Sequence, residues 1–457
     1  MGNKRLLLSA GYCLPAALLA IAATGAWAWD NPLEHPYTNG PLDICDQGTF
    51  HVGGVPKITP YADSNEIGVP QQNIIGQMYV QFQIPKKRRQ WPVIMVHGGG
   101  YSGSCLSSTP QATEGWDSYA LRNNLATFIV DQAGRGRSTF DISVLIEASA
   151  TNNASLIPSS LRVTSGDDLW TNWLGHLVPD TSTLNGLLIK HGDPGDPMCA
   201  ADPAHCTYSP KIDFTAIDPK LEARVGAIGP APNPANKTQM ALEMYKFGGH
   251  IYGENFLPTS NCPTCTPSTV APDRTWSGQD LAELVAGLGG AIVATHSQSG
   301  VVGHHMVRYL KQNGQLDKLK GLITIEGSCS LADAGLAADG SDFDNIPYLA
   351  FKGDYSNIQP TCEATVAAIN ARRAAGHGTA KAESIKLDDA SYGGKFNGTT
   401  HMMMQGTNNL EVFDEINKWA SANIDNPIVE NACPNGPKAD NGPKPGNGPK
   451  PGNGPNK

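Results

Sequence analysis

The sequence has 457 residues, of which 16% are charged and 40% hydrophobic, with a formal net charge of −9. That length suits one large α/β domain with insertions, and sparse, net acidic charge argues against a nucleic-acid partner. Fifty glycines and 34 prolines imply long turns and loops, many of them near the C-terminus.

At the N-terminus, Lys4 and Arg5 precede an apolar run from Leu14 to Ala23, followed by Ala26–Trp27–Ala28. Basic, apolar and small-residue regions in this order read as a secretory signal over residues 1–28. A membrane anchor is the competing reading, but the run is shorter than the roughly 20 residues of a span. The mature chain is therefore expected to be secreted or periplasmic, with no membrane span. In an oxidising compartment cysteines pair. Cys13 leaves with the signal, so an odd number of the ten cysteines remains and a monomer keeps at least one free. Cys199 with Cys206, and Cys262 with Cys265, are close enough to form local bridges. Neither pair is accompanied by the histidines or further cysteine pairs of a zinc site, so no metal is expected there.

Residues 29–72 are rich in turn signals and read as an N-terminal arm, with a hairpin entry at Gly48–Gly54. Gly76–Pro85 alternates at period two, the mark of a half-buried strand. Lys86–Lys87–Arg88–Arg89 then reads as a solvated hairpin turn. Trp91–Val96 is an apolar strand that runs into His97–Gly98–Gly99–Gly100. Glycines after a strand let backbone N–H groups face a cavity, which makes this loop half of a candidate oxyanion hole. A helix is expected over Thr113–Arg122 and a strand over Ala126–Asp131. That strand ends in Asp131-x-x-Gly134-x-Gly136-x-Ser138, a glycine turn of the kind found beside α/β-hydrolase active sites.

Regular patterning fades from 139 to 277, and a stretch this long needs its own structure or its own task. Its place between core strands fits a cap or lid, with an ordinary surface insertion as the plainer alternative. A helix over Gly278–Val285 then leads to the strand Gly290–Ala294. Strands are expected at Leu319–Glu326, Ile346–Asp354 and Ala382–Leu387, with helices at Glu363–Arg373 and Leu410–Trp419. Alternating strands and helices argue for a mostly parallel sheet covered on both faces. The core is thus assigned to 73–138 and 278–432. Residues 433–457, repeats of Asn, Gly, Pro and Lys, form a low-complexity tail that cannot build a core.

The sharpest signal lies at Thr295–His296–Ser297–Gln298–Ser299–Gly300, between an apolar strand and a run with helical spacing. A strand, a tight turn and a helix with serine at the turn make a nucleophile elbow, which needs small residues two places to either side. Thr295 and Ser299 fill those places instead of glycines, and Ser297 alone has a small residue at both. A serine nucleophile needs a histidine base and a carboxylate to orient it. His401 lies in a loop after the last core strand, the expected place for the base. His296, His304 and His305 are bound too closely to the elbow to reach across and read as structural or surface residues. For the acid, Glu326 ends an apolar strand where a carboxylate has no easy structural reason to be, and it is preferred to Asp354.

With these pieces in place, the chain resembles secreted bacterial α/β-hydrolase esterases that use a serine–glutamate–histidine triad. The matching strings are Gln77–Met78–Tyr79–Val80, the His-Gly of the oxyanion loop, Glu114–Gly115–Trp116, Asp131–Gln132 with Gly134–Ser138, His296–Gly300, Glu326, His401–Gln405 and Asn408–Leu410. The resemblance implies Ser297 as nucleophile, His401 as base, Glu326 as acid, and the N–H groups of Gly99 and Gln298 as oxyanion donors. It also implies a disulfide between Cys329 and Cys362 beside the acid. Pairing of Cys45 with Cys433 would then leave Cys105 free. Adjacent cysteines that relatives can carry after the His-Gly are replaced here by Gly99 and Gly100. Gly100, Tyr101 and Met402 are candidates to line the substrate pocket, although buried methionines more often pack.

The expected activity is hydrolysis of a small-molecule or polymeric carboxylic ester, with no cofactor. An amidase or peptidase on the same triad, and a catalytically silent secreted binding module, are the alternatives. The oligomeric state is not legible.

Overall fold

The computed structural model describes residues 31–109, 112–138, 140–157, 275–354, 360–429 and 433. The segment expected to be a signal, most of the 139–277 insertion with Cys199, Cys206, Cys262 and Cys265, and the tail beyond 433 lie outside the described residues. In chain order the strands and helices are β1 (Ile44–Thr59), β2 (Gln71–Pro85), β3 (Arg88–Arg89), β4 (Val93–Val96), α1 (Trp116–Arg122), β5 (Thr127–Asp131) and α2 (Ser143–Ala150). After the insertion come α3 (Thr275–Gly287), β6 (Ala291–His296), α4 (Ser299–Gln312), β7 (Leu319–Ile325), β8 (Tyr348–Lys352), α5 (Pro360–Ala374), β9 (Ala382–Lys386), α6 (Asn409–Asn423) and β10 (Ile428–Val429).

Eight strands form one sheet in the order β1-β2-β5-β4-β6-β7-β8-β9. From β5 to β9 all neighbours are parallel. The hairpin β1–β2 adds antiparallel to β5. The central strands are short and rich in β-branched residues, and every residue of β4, β5 and β6 is buried. That follows from cover on both faces, which removes any reason for polar alternation. Along β6, Ile292 and Ala294 join a cluster with Trp116, Phe413 and Trp419 of α1 and α6. Ala291 and Val293 face the opposite cluster, which includes Leu281 and Val285 of α3 and Val302 and Met306 of α4. The larger aliphatic and Phe side chains among these, such as Ile292, Val293 and Phe413, each contribute about 1.5–3 kcal/mol when fully buried.

Two expectations need correction. The stretch assigned to an N-terminal arm contains β1, which pairs with β2 along nearly its whole length and forms one edge of the sheet. Glycines at 48, 53 and 54 break the period-two pattern there and hide the strand from a periodicity reading. Lys86–Arg89 is also more than a solvated turn. Arg88 and Arg89 pair with Val429 and Ile428 in a two-stranded ribbon, and the Arg89 Nη1 donates to the Asn426 carbonyl at 3.2 Å. A third element, α2, lies in the described beginning of the presumed cap. Lys57 of β1 donates to the Asp141 carboxylate and to the Ser143 hydroxyl at 2.5 and 2.8 Å, which fastens α2 to the sheet edge.

The disulfides among the described residues are Cys45–Cys433 and Cys329–Cys362, with Cα–Cα distances of 5.3 and 4.7 Å. Cys105 is a free, buried thiol, and burial pushes its pKa far up, out of the range where it ionises.

His304 joins α4 to β8. Its Nδ1 meets the Gly300 carbonyl at 2.6 Å and its Nε2 meets the Tyr348 hydroxyl at 3.2 Å. Burial pushes its pKa down from 6.5 to about 4. The unfolded chain therefore binds a proton at His304 that the fold refuses between these values, and stability falls as pH drops through that window. The full effect is on the order of 3 kcal/mol. We expect wild type to lose stability relative to His304→Gln between about pH 6.5 and pH 4, with no further divergence below, as read by urea unfolding at a series of pH values.

Candidate active site

The sheet order sets β4 beside β6, and the chain runs from β4 to β5 on one side and from β6 to β7 on the other, so the connections from these two neighbours diverge. Such a switch point opens a crevice at the carboxyl ends of the strands. The triad and oxyanion candidates from the sequence lie at the turns and loops that leave this edge. Gly98–Gly100 follow β4, the Asp131–Ser138 turn follows β5, Ser297 follows β6 and Glu326 follows β7.

Ser297 has φ +57° and Glu326 φ +46°. A left-handed backbone at a residue with a side chain costs roughly 1–3 kcal/mol. Both positions are held from several directions. The Ser297 N–H donates to the Ile325 carbonyl at 2.9 Å, and the Glu326 N–H donates to Phe351 at 2.8 Å. At the elbow, Ser299 replaces the usual glycine and its hydroxyl acts as a hub. It accepts from the His296 N–H at 2.8 Å and lies 3.0 Å from the Val96 carbonyl and 2.8 Å from that of His296. A side chain at this place thus ties the turn to β4.

His401 Nε2 lies 2.9 Å from Ser297 Oγ, and its Nδ1 lies 2.5 Å from Glu326 Oε2. With the carboxylate accepting from Nδ1–H, Nε2 keeps its lone pair and accepts the serine O–H. The other carboxylate oxygen, Oε1, accepts the Gly353 N–H at 2.6 Å. Glu326 and His401 are each about 1% exposed, whereas Ser297 and Gln298 are only half-buried. The hydroxyl is reachable and the two groups behind it are not.

Asp354, the competing acid, has a different task. Its Oδ2 accepts the Gly398 N–H at 2.7 Å and its own N–H donates to the Thr399 carbonyl at 2.9 Å. It shapes the loop that carries His401 without touching the imidazole. His296 is structural in an active sense, since its Nε2 lies 2.8 Å from the His401 carbonyl. Burial, and after it the neighbouring His401, hold the His296 pKa well below the ordinary histidine value. His296 therefore stays neutral beside the second imidazole.

Gly99 and Gly100 are buried, and Gly100 has φ +73°. A Cβ on Gly98 would lie 2.9 Å from both Ser297 Cβ and His296 Nδ1, so only glycine lets this loop pass the elbow. Tyr101 and Met402, expected to line the pocket, are 1% and 0% exposed and pack in the cluster with Trp116 and Phe413.

The turn after β5 is built by side chains that the glycine reading passed over. Asp131 accepts from the Gly103 N–H at 2.6 Å and from the Arg137 N–H and Nε, both at 2.8 Å. Burial alone would raise its pKa, but these donors hold it below the usual carboxylate range. Gln132 and Arg135 reach across to His97, Gly98 and Gln298. The available signal is Gln132, Arg135 and Arg137, long polar side chains set among small residues directly after the apolar stretch Phe128–Val130.

No family model matches the chain. Among solved structures, it is similar to a bacterial esterase at 23% identity and a TM-score of 0.59, over 84% of this chain and 98% of that one. This likeness shows the α/β-hydrolase fold. Among curated proteins, the chain matches the probable secreted lipase phiG of a fungus, Fungal sp. (strain ATCC 74256), with 28% identity over 106 residues. The match takes in 21% of this chain and spans only 28% of the length of that lipase.

One contact in the site sets a steric test. A Cβ on Gly300, in the first turn of α4, would lie 2.5 Å from the Ser328 carbonyl oxygen and 2.7 Å from the Ser328 nitrogen. Alanine normally stabilises a helix position by about 1 kcal/mol over glycine. Here we expect Gly300→Ala to destabilise by about 1–3 kcal/mol through overpacking. Gly287→Ala, at the end of α3 with open space around it, is expected to be neutral or stabilising. Denaturant midpoints of the two variants check the contrast.

Proposed function

We propose that the protein is a secreted serine hydrolase that cleaves carboxylic esters through an acyl-enzyme on Ser297. The observation that carries this reading is the unbroken hydrogen-bonded line from the half-buried Ser297 through His401 to the buried Glu326. The names of the similar proteins, a bacterial esterase and a probable secreted lipase, agree with it.

In this reaction, Ser297 Oγ attacks the ester carbonyl carbon as its proton passes to His401 Nε2. Glu326 stabilises the imidazolium from the Nδ1 side and fixes its orientation. The charge that develops on the carbonyl oxygen is received by the N–H groups of Gly99 and Gln298. Gln298 opens α4, so the positive end of the helix dipole adds to the same pole. Collapse of the tetrahedral intermediate breaks the ester C–O bond, and His401 returns the proton to the departing alcohol. Water, deprotonated by His401, then attacks the acyl carbon and frees Ser297 and the acid. The neutral His296 keeps a second positive charge away from the imidazolium.

Secretion is supported by the basic–apolar–small order of the first 28 residues and by two disulfides among the described cysteines. The substrate is an ester of small-molecule or polymeric type, and the 139–277 insertion is read as the cap that shapes its pocket.

Turnover of p-nitrophenyl esters of rising acyl length, beside matching amides, tests the reading. Wild type should hydrolyse esters, and Ser297→Ala should abolish turnover. Glu326→Gln should lower kcat by roughly 10³–10⁴-fold, while Asp354→Asn should stay within about tenfold of wild type. Collapse in Asp354→Asn with survival of Glu326→Gln would reassign the acid, and preference for amides would replace the esterase reading with a peptidase.

A further inference from the structure

The peptide between Gly98 and Gly99 is gripped at its oxygen by two buried side chains. The Gln132 backbone N–H donates to His97 Nε2 at 3.1 Å. A ring nitrogen that accepts carries no proton, so the proton of neutral His97 is on Nδ1. Nδ1–H therefore donates to the Gly98 carbonyl, 2.7 Å away. The Arg135 Nη1 also donates to that carbonyl at 3.3 Å, and to the Gln298 side-chain oxygen at 3.0 Å. Gln132 Nε2 closes the arrangement by donating to the His97 carbonyl at 2.7 Å. His97 and Gln132 are fully buried and Arg135 is 2% exposed.

A trans peptide is planar, with its C=O and N–H directed oppositely. Holding the Gly98 oxygen towards His97 and Arg135 turns the Gly99 N–H the other way. Among the described residues no hydrogen bond uses that N–H. A glycine pair without such a grip can flip its peptide at little cost, which would replace the donor with a carbonyl oxygen. A cationic donor on the carbonyl also polarises the peptide and strengthens its N–H as a donor.

We propose that Arg135 and His97 are positioning residues of the oxyanion site. They fix the Gly98–Gly99 peptide with its N–H as donor, and Arg135 ties the loop after β4 to Gln298 of the elbow, so that the two N–H groups keep one spacing. This rests on the ester-hydrolase reading above. It adds residues outside the triad and the hole that determine transition-state binding without touching the substrate.

The test uses the full chain as wild type, Arg135→Met, Arg135→Lys and His97→Gln. For each, kcat and KM on a p-nitrophenyl ester, inhibition by an alkyl boronic acid and the thermal midpoint are measured. The boronic acid forms a tetrahedral adduct on Ser297 with an oxygen in the oxyanion position, so it reports the hole directly. In Arg135→Met, kcat should fall about ten- to a hundredfold with KM within about threefold. Boronic-acid affinity should fall in parallel. Arg135→Lys, which keeps the charge and a donor nitrogen but not the planar guanidinium, should recover part of both, and His97→Gln should lose both. Unchanged kcat and boronic-acid affinity per folded molecule, with only a lowered thermal midpoint, would overturn the proposal and leave a structural role. A rise in KM with kcat intact would overturn it as well. Should Arg135→Met fail to fold, Arg135→Lys carries the same readouts. A folded wild type that turns over no ester would overturn the esterase reading itself, and this proposal with it.

Discussion

The site depends on one constraint, the left-handed backbone of Ser297 where β6 gives way to α4. The strand upstream is wholly buried and the helix downstream packs on the same sheet, so the chain has only Ser297 and Gln298 in which to reverse. A tight reversal projects the serine side chain outward from an otherwise sealed interior. Everything around it answers the cost of that geometry. The Ser299 hydroxyl gathers main-chain groups of β4 and β6, and glycine at 98 lets the neighbouring loop close in. The Ile325 carbonyl takes the Ser297 N–H. Because that carbonyl belongs to β7, the same bond brings Glu326, the next residue, alongside the elbow.

A second theme is a division between carboxylates. Glu326, Asp354 and Asp131 all stand at the rim of the sheet, and only Glu326 meets the imidazole. Asp354 and Asp131 instead accept backbone N–H groups of loops, which sets the positions of the histidine loop and of the chain after β4. Rigid placement of a reacting group needs supports whose own positions are fixed, and here short loops obtain them from charge-assisted hydrogen bonds.

Much of this was legible from sequence because the chemistry constrains residue type at each place. A strand that ends in a small–x–Ser–x–small turn, and a carboxylate at the tip of a second apolar strand, leave few interpretations. The preference for Glu326 over Asp354 came from that solvation argument, and the geometry puts Glu326 against His401. Less was legible where contacts are long in sequence. Edge strand β1 carries glycines that blur its period and is recognisable only by its partner β2. Arg135 has no local pattern that announces a link to Gln298, 163 residues away. Side chains that act on a distant backbone carbonyl leave no periodicity, and only the fold reveals them.

The bridge between Cys45 and Cys433 spans a sequence separation of 388. It joins the start of the edge strand to the point where the low-complexity tail begins, and so closes nearly all of the folded chain into a covalent ring. Tension applied through that tail enters the molecule at Cys433 and passes by a sulfur–sulfur bond to Cys45. It bypasses the hydrogen-bonded ribbon of β3 and β10. A cut in any loop inside the ring leaves both pieces on one molecule.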